Sequence, residues 1–186
     1  MNYMINVANE EKKFDFLILA PTFNAKQIQD TIKSLRIYYP ENHFIISCSI
    51  HFDKEQVKWV KDLDHRNIVI KKGGTTICGL INAGEKEIKN EWFFVFVAGS
   101  RIKNKIDKKY FSFIKDKEIG YSVVERRMYF YEASLNGMLL SKTSFKDIGE
   151  FPDISPDISG CKSVWLGEGQ EKGYKFKGLV CVPITG

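Results

Sequence analysis

The stretch from Glu91 to Arg101, EWFFVFVAGSR, decides how the rest of the chain is interpreted. Trp92 to Val97 form an unbroken apolar run rich in aromatic and β-branched side chains, which is typical of a strand buried on both faces. The change to AGSR at Ala98–Arg101 marks the carboxyl end of this strand. Ligands bind at that edge of an open α/β sheet. We therefore expect an active site, if one exists, at Ala98–Arg101, although a metal-using site would need carboxylates that this stretch lacks.

The totals indicate one globular domain of ordinary size. The chain has 186 residues, of which 44% are hydrophobic and 27% charged, a balance typical of a soluble protein with a real core. The net charge of +5 comes from scattered lysines and only weakly favours an anionic small ligand or an acidic surface. We expect no nucleic-acid partner, because such proteins usually concentrate their basic residues more strongly.

The spacing of the cysteines and the polarity of the chain's segments bear on metal sites and on cellular location. None of Cys48, Cys78, Cys161 and Cys181 is close enough to another for a CxxC pair, so no zinc site is predicted. Residues 1–13 are expected to be an N-terminal leader, and this polar stretch lacks the apolar segment of a secretory signal. No apolar stretch approaches the ~20 residues of a membrane span. We therefore predict a cytoplasmic protein with reduced thiols.

The first half of the chain alternates strands and helices. The strands are predicted at Phe14–Leu19, His43–Cys48, Asn67–Ile70 and Trp92–Val97. Asn24 and Asp53 are placed to cap the first two helices, and Gly73, Gly74, Thr75 and Thr76 precede the third. This alternation predicts an α/β protein with a mainly parallel, doubly wound sheet flanked by helices.

The second half predicts a small antiparallel section. A short helix is expected near Ile106–Phe113, and strands at Gly120–Val124 and Arg127–Tyr131. Asn136-Gly137 is a turn signal. A helix over Gly160–Lys172 ends at Gly173, and Tyr174–Val182 is a last strand. With no linker or repeat, residues 14–186 are predicted to be a single domain.

The order of these pieces resembles the family-2 glycosyltransferases of the GT-A fold. PTFN at Pro21–Asn24 looks like the opening P-x-Y/F-N of that family, and Asn82-Ala83-Gly84 looks like its N-x-G helix. Phe145–Phe151 looks like its "f-x-x-v-G-g-F" turn, and Lys172–Phe176 like the end of its last helix. The joint order and spacing of these motifs favour a GT-A-like fold.

The resemblance implies transfer of a sugar from a nucleotide-sugar donor to a hydroxyl acceptor such as a glycan. In the family a divalent cation, Mn²⁺ or Mg²⁺, is held by a D-x-D pair after the fourth strand and neutralises the leaving diphosphate. A carboxylate before the last helix accepts the acceptor proton. This sequence departs from each acidic position, which falls here on Val97 and Gly99, on Cys48 and Ser49, or on Cys161 and Lys162.

Candidate site residues follow from motif and position. The predicted nucleotide-sugar-binding residues are Pro21, Thr22, Asn24, Asp53, Gly73, Gly74, Thr75, Ala98, Gly99, Ser100 and Arg101. Arg101 could replace a metal by pairing with a diphosphate. Asp157, or else Asp153, could be the missing base. No residue is assigned as a metal ligand. For each candidate, the alternative to a binding or catalytic role is a purely structural one, as a strand end, a helix cap or a solvated turn.

Three functional hypotheses remain open. The first is a hexosyltransferase-type glycosyltransferase that works without a D-x-D-bound metal. The second is a catalytically silent GT-A module that binds a glycan, a nucleotide or a partner protein, which the loss of acids favours. The third, a nucleotidyltransferase-like protein, fits less well because PTFNA is not a Gly-rich basic loop. Donor, acceptor, oligomeric state and pathway are not determined by the sequence.

Overall fold

The computed structural model describes residues 13–65, 68–106, 117–125, 131–153, 158–179 and 184–185. The expected helix near Ile106–Phe113 and the start of the strand at Arg127 therefore lie largely outside the described residues. Within them, the elements in chain order are β1 (Phe14–Ala20), α1 (Ala25–Tyr38), β2 (Phe44–Cys48), α2 (Lys54–Asp62), β3 (Ile68–Lys72), α3 (Ile77–Glu85), β4 (Trp92–Val97), β5 (Arg101–Ile102), β6 (Glu118–Glu125), β7 (Tyr131–Ser141), α4 (Lys142–Ile148), α5 (Ile158–Glu171), β8 (Lys175–Leu179) and β9 (Ile184–Thr185).

Seven of these strands form one mixed sheet in the order β3-β2-β1-β4-β7-β6-β8. The first four strands of that order are parallel to one another. Strand β7 runs antiparallel to β4 and β6, and β8 runs parallel to β6. A second, two-stranded antiparallel sheet joins β5 to β9. The predicted α/β class is confirmed, with a mainly parallel sheet and an antiparallel section in the second half.

The central strands are apolar throughout because both sheet faces are covered. Every residue of β1 is buried, and β1 pairs along its length with β4. Side chains alternate between faces, so Phe16 and Phe94 join the core under α1 and α2. Leu17 and Val95 join a second core under α3 and α5.

The predicted turn at Asn136-Gly137 is wrong. Both residues lie inside the continuous strand β7. The pairing of β6 with β7 shifts register between Gly120 and Ser122, and Gly137 has φ 75°. An Asn-Gly pair supplies the local conformation of an irregular strand as readily as that of a hairpin. The irregularity lets Asn136 reach the end of β4, where its Oδ1 accepts a hydrogen bond of 2.7 Å from Val97 N.

At the amino ends of β1 and β2, His43 packs against the buried carboxylate of Asp15. Asp15 Oδ2 accepts hydrogen bonds from the backbone amides of Lys89 and Asn90, and lies 3.7 Å from His43 Nδ1. Neither buried ring nitrogen of His43 has a hydrogen-bond partner among the described residues. Burial lowers the pKa of His43 more than the charge of Asp15 raises it, and the charges of Lys89 and Arg36 lower it further.

We predict that His43 destabilises the fold in mild acid. Because its pKa is lower in the folded state, the unfolded chain binds the proton first, and stability is lost as pH falls through the ordinary histidine value of about 6.5. The free energy of unfolding, measured by urea denaturation between neutral and mildly acid pH, should fall less steeply in His43→Gln than in the wild type. His51→Gln, at an exposed histidine, is the matched control. Equal slopes in His43→Gln and the wild type would contradict this account.

Candidate functional site

The loops that carry the predicted binding residues follow four neighbouring strands. At the carboxyl edge of the sheet, the residues that follow β3, β2 and β4 each donate a backbone hydrogen bond to the end of the neighbouring strand. These bonds join Gly73 N to Cys48 O at 2.7 Å, Ser49 N to Ala20 O at 3.1 Å, and Ala98 N to Leu19 O at 2.9 Å. Three strand spacings of about 4.8 Å separate the outer strands, so the loops span about 14 Å. The structure therefore brings residues far apart in the sequence to one edge.

The turn after β4 is fitted against helix α1. Gly99 N donates a hydrogen bond of 2.9 Å to Thr31 Oγ1, and Gly99 has φ 104°, a conformation that favours glycine. A Cβ added at Gly99 would lie 3.4 Å from the Gln27 side chain. Ser100 is only 4% exposed, and its hydroxyl donates to Asn136 Oδ1 at 2.9 Å. Its hydroxyl is therefore committed to the fold.

Arg101 leaves this turn toward solvent. Its side chain is 53% exposed and forms an ion pair with Asp30 of α1, whose side chain is 25% exposed. A half-exposed guanidinium in such a pair keeps part of its hydrogen-bonding surface for another anion. Asp30 and any bound anion would therefore compete for Arg101.

The PTFN segment joins β1 to α1 beside that turn. Asn24 Oδ1 accepts a hydrogen bond of 3.1 Å from Gln27 N, which confirms the predicted helix cap. Thr22 is exposed. Phe23 is 36% exposed and contacts the rings of Phe52 and Trp59 edge-on, with centroids 5.5 and 5.6 Å away. The sequence does not mark Phe23 as a surface aromatic, because it does not show which neighbouring side chains cover the ring.

Asp53 begins α2 in a capping box. Its Oδ1 accepts from Gln56 N at 2.7 Å, and Gln56 Oε1 accepts from Asp53 N at 3.1 Å. The predicted cap is confirmed. Its assignment to nucleotide binding stays a prediction.

The Gly73-Gly74 loop and Asp153 come together at the start of α3. Thr76 caps this helix by accepting from Gly79 N at 2.9 Å, and its hydroxyl donates to the Asp153 carboxylate. A Cβ on Gly79 would lie 3.0 Å from Asp153 Oδ2, and one on Gly74 3.6 Å. Gly79 therefore leaves room for the carboxylate, whereas a Cβ on Gly74 would make only an ordinary contact with it. The carboxylate lies at the positive end of the helix dipole. The sequence places Thr76 directly before this helix, and the structure shows that it is the helix cap, a role that a threonine before an apolar run indicates.

The loop that carries Asp153 is anchored beneath by polar and aromatic contacts. Asn82 Nδ2 donates to Phe151 O at 2.8 Å, and Phe151 N donates to Asn82 Oδ1 at 2.9 Å. The Trp165 ring stacks on Phe151 with centroids 4.4 Å apart. Asp157, the other candidate base, lies outside the described residues.

The positions that match the D-x-D pair of the resembled family offer no ligand for a divalent cation. Val97 and Gly99 carry no oxygen-bearing side chain, and the Ser100 hydroxyl is committed to Asn136. Burial raises the pKa of Cys48 to about 12, with Lys72 opposing the shift, so this thiol stays protonated at neutral pH. Within the described part of the chain, no three histidine, cysteine or acidic side chains are grouped to hold a metal.

The comparisons with known proteins bear on the fold. No description of a protein family matches this chain, and no curated protein sequence matches it. Among solved structures, S. aureus TarS matches with a TM-score of 0.64 and 13% identity over 90% of this chain and 35% of that one. The catalytic domain of Drosophila beta1,4galactosyltransferase 7 matches at 0.63 and 6% identity, over 89% and 64% of the two chains. Bifunctional IspDF from Campylobacter jejuni matches at 0.56 and 13%, over 91% and 50%.

These matches define a class of fold. The predicted GT-A-like fold is confirmed, since TarS and the galactosyltransferase are glycosyltransferases of that type. TarS residues 1–349 have also been solved with UDP, in a structure that matches at a TM-score of 0.55 and 15% identity. This chain spans between about a third and two thirds of the length of the structures it matches. No helix in the described ranges is long and apolar enough to cross a membrane.

Proposed function

We propose that this protein binds a nucleotide-sugar donor at the carboxyl edge of β1 to β4 and transfers the sugar to a hydroxyl acceptor without a D-x-D-bound metal. The observation that carries the proposal is the convergence of the loops after these strands within a fold shared with glycosyltransferases. The matching structures of TarS with UDP and with UDP-GlcNAc support a uridine nucleotide as the first donor to test.

The leaving diphosphate requires positive charge in the absence of a metal. Arg101 provides a half-exposed guanidinium after β4, and a guanidinium can pair with phosphate oxygens through two parallel hydrogen bonds. Asp30 holds Arg101 while the site is empty. The diphosphate then takes over part of this pairing, so its negative charge is stabilised as the bond to the sugar breaks.

The acceptor hydroxyl requires a base. A carboxylate of Asp153 or Asp157 would take the hydroxyl proton while the oxygen attacks the anomeric carbon and the nucleoside diphosphate leaves. Asp153 is exposed and held by Thr76 at the start of α3, so it is positioned at the edge that the donor would occupy. Among the described residues, the side chain of Asp153 accepts one hydrogen bond, from Thr76, which leaves acceptor capacity on the carboxylate.

We predict that Arg101→Gln weakens UDP binding about tenfold, as the loss of one charge-assisted phosphate contact implies. Asp30→Asn should strengthen UDP binding by a few fold, since it frees Arg101 from its internal partner. Isothermal titration with UDP, UDP-GlcNAc and GDP-sugars, each with and without Mn²⁺, measures both effects. Lys33→Gln, at an exposed lysine of α1, controls for the change in net charge.

Two outcomes would count against the proposal. If no nucleotide binds under any of these conditions, the donor site does not exist. If UDP-GlcNAc or another donor binds but is never hydrolysed or transferred, the chain is a silent binding module of the same fold. Turnover that disappears in Asp157→Asn or Asp153→Asn would identify the base.

A further inference from the structure

A basic groove lies beside the candidate site, between α2 and the end of the edge strand β3. It is an open groove of about 340 Å³, which is near the lower limit of the ~300–1,000 Å³ typical of small-molecule sites. We call it the lysine groove, and its lining residues are Lys54, Val57, Lys58, Lys61, Asp62 and Lys72. Four lysines against one aspartate leave the lining strongly positive.

The lysines are arranged in a row by the helix. Lys54, Lys58 and Lys61 are spaced at i, i+4 and i+7, which places them on one face of α2 over about 10 Å. Lys72 faces them from the end of β3. Val57 and the lysine stems form the apolar part of the floor, while the ammonium groups are exposed.

Among the described residues, Asp62 offsets only part of the positive charge of the lysine groove. None of the four groove lysines forms an ion pair with another described residue, whereas the neighbouring Lys71, which alternation directs to the other face of β3, pairs with Glu87 at 3.0 Å. Like charges one helical turn apart repel each other. A bound anion would relieve that repulsion, so the lining is suited to a ligand that carries several negative charges close together.

We propose that the lysine groove binds a small soluble molecule that carries two or more linked phosphate groups, at a place distinct from the proposed donor site. Three features select this class. The lysines match phosphate groups as point charges. Their row extends over a length that a short oligophosphate fills, and the groove volume of about 340 Å³ suits a small molecule. A membrane surface fits less well, because the charges line a concave groove whose own lining residues include no exposed apolar side chain.

The groove is adjacent to the candidate edge but separable from it. Lys54 follows the cap residue Asp53, and Lys72 precedes Gly73, so the groove begins where the edge loops begin. It then follows α2 down the outer side of the sheet, away from Ala98–Arg101. A ligand in the groove would therefore leave Arg101 and Asp153 accessible, and the two sites can be tested independently.

The test is calorimetric titration with tripolyphosphate of the wild type and of a variant with Lys54, Lys58, Lys61 and Lys72 all changed to glutamine. We expect the variant to lose affinity by more than about tenfold, with its UDP affinity unchanged. The control variant changes Lys13, Lys33, Lys146 and Lys175, all exposed, to glutamine, and so has the same net charge. It should keep tripolyphosphate binding. Changing the four groove lysines to arginine should also retain binding, and checks that the charge rather than the fold is being tested.

Each remaining outcome decides the proposal. Loss of binding in both glutamine variants would overturn it, because the effect would then follow net charge. Binding of long polyphosphate or of vesicles containing anionic lipid, with no binding of tripolyphosphate, would also overturn it in favour of a polymer or a membrane. Failure of UDP binding with intact tripolyphosphate binding would reject the proposed donor site and leave the lysine groove supported.

Discussion

Trp165→Ala is expected to lower the free energy of unfolding by about 3–5 kcal/mol, the range measured when a large aromatic side chain is removed from a core. Trp165 is fully buried on α5 and stacks on Phe151 at 4.4 Å between centroids, with an interplanar angle of 11°. Its Nε1 donates to Gly149 O at 2.8 Å. The truncation removes the packing, the stacking and this hydrogen bond together. Urea denaturation followed by circular dichroism measures the change.

Two neighbouring variants test that explanation. Val164→Ala changes the adjacent residue of α5, whose side chain is 42% exposed, and should alter stability by less than about 0.5 kcal/mol. Trp165→Phe keeps most of the ring packing and loses the hydrogen bond, so it should lie between the wild type and Trp165→Ala. A small effect of Trp165→Ala, comparable with that of Val164→Ala, would show that α5 does not anchor the loop beneath it.

The second large effect is expected from Asn82→Ala, at about 2–3 kcal/mol. Asn82 is 8% exposed and makes both backbone hydrogen bonds of Phe151, one as donor and one as acceptor. Removing the amide leaves a buried N–H and a buried carbonyl without partners, at about 1–3 kcal/mol for each unsatisfied group before relaxation. The same urea denaturation gives the value.

Asn82 also connects stability to the proposed site. It ties α3 to the loop that presents Asp153, so Asn82→Ala should reduce donor turnover more than it reduces UDP affinity. Gln170→Ala, at an exposed amide of α5, is the control and should change neither. If Asn82→Ala left stability and turnover unchanged, the pair of hydrogen bonds to Phe151 would not be holding the loop.

Long-range pairing explains the features that the sequence analysis missed. The Asn136-Gly137 pair predicted a turn, but the same residues also suit an irregular strand. Only the position of β4 reveals that Asn136 Oδ1 accepts hydrogen bonds from Val97 and Ser100. The bond between Thr76 and Asp153 joins residues 77 positions apart. The partnership of Arg101 with Asp30 is likewise a contact across the fold. No local pattern encodes such pairs.

The sequence by itself determined the strand–helix alternation, the buried β4, the caps at Asn24 and Asp53, and the edge at which a ligand is expected. These follow from local apolar periodicity and capping chemistry, which depend on residues close together in the chain. Only the tertiary structure decided which polar groups are already engaged at that edge, and that four lysines from α2 and β3 line one groove. Those properties depend on side chains from separate elements approaching one another, which sequence order does not specify.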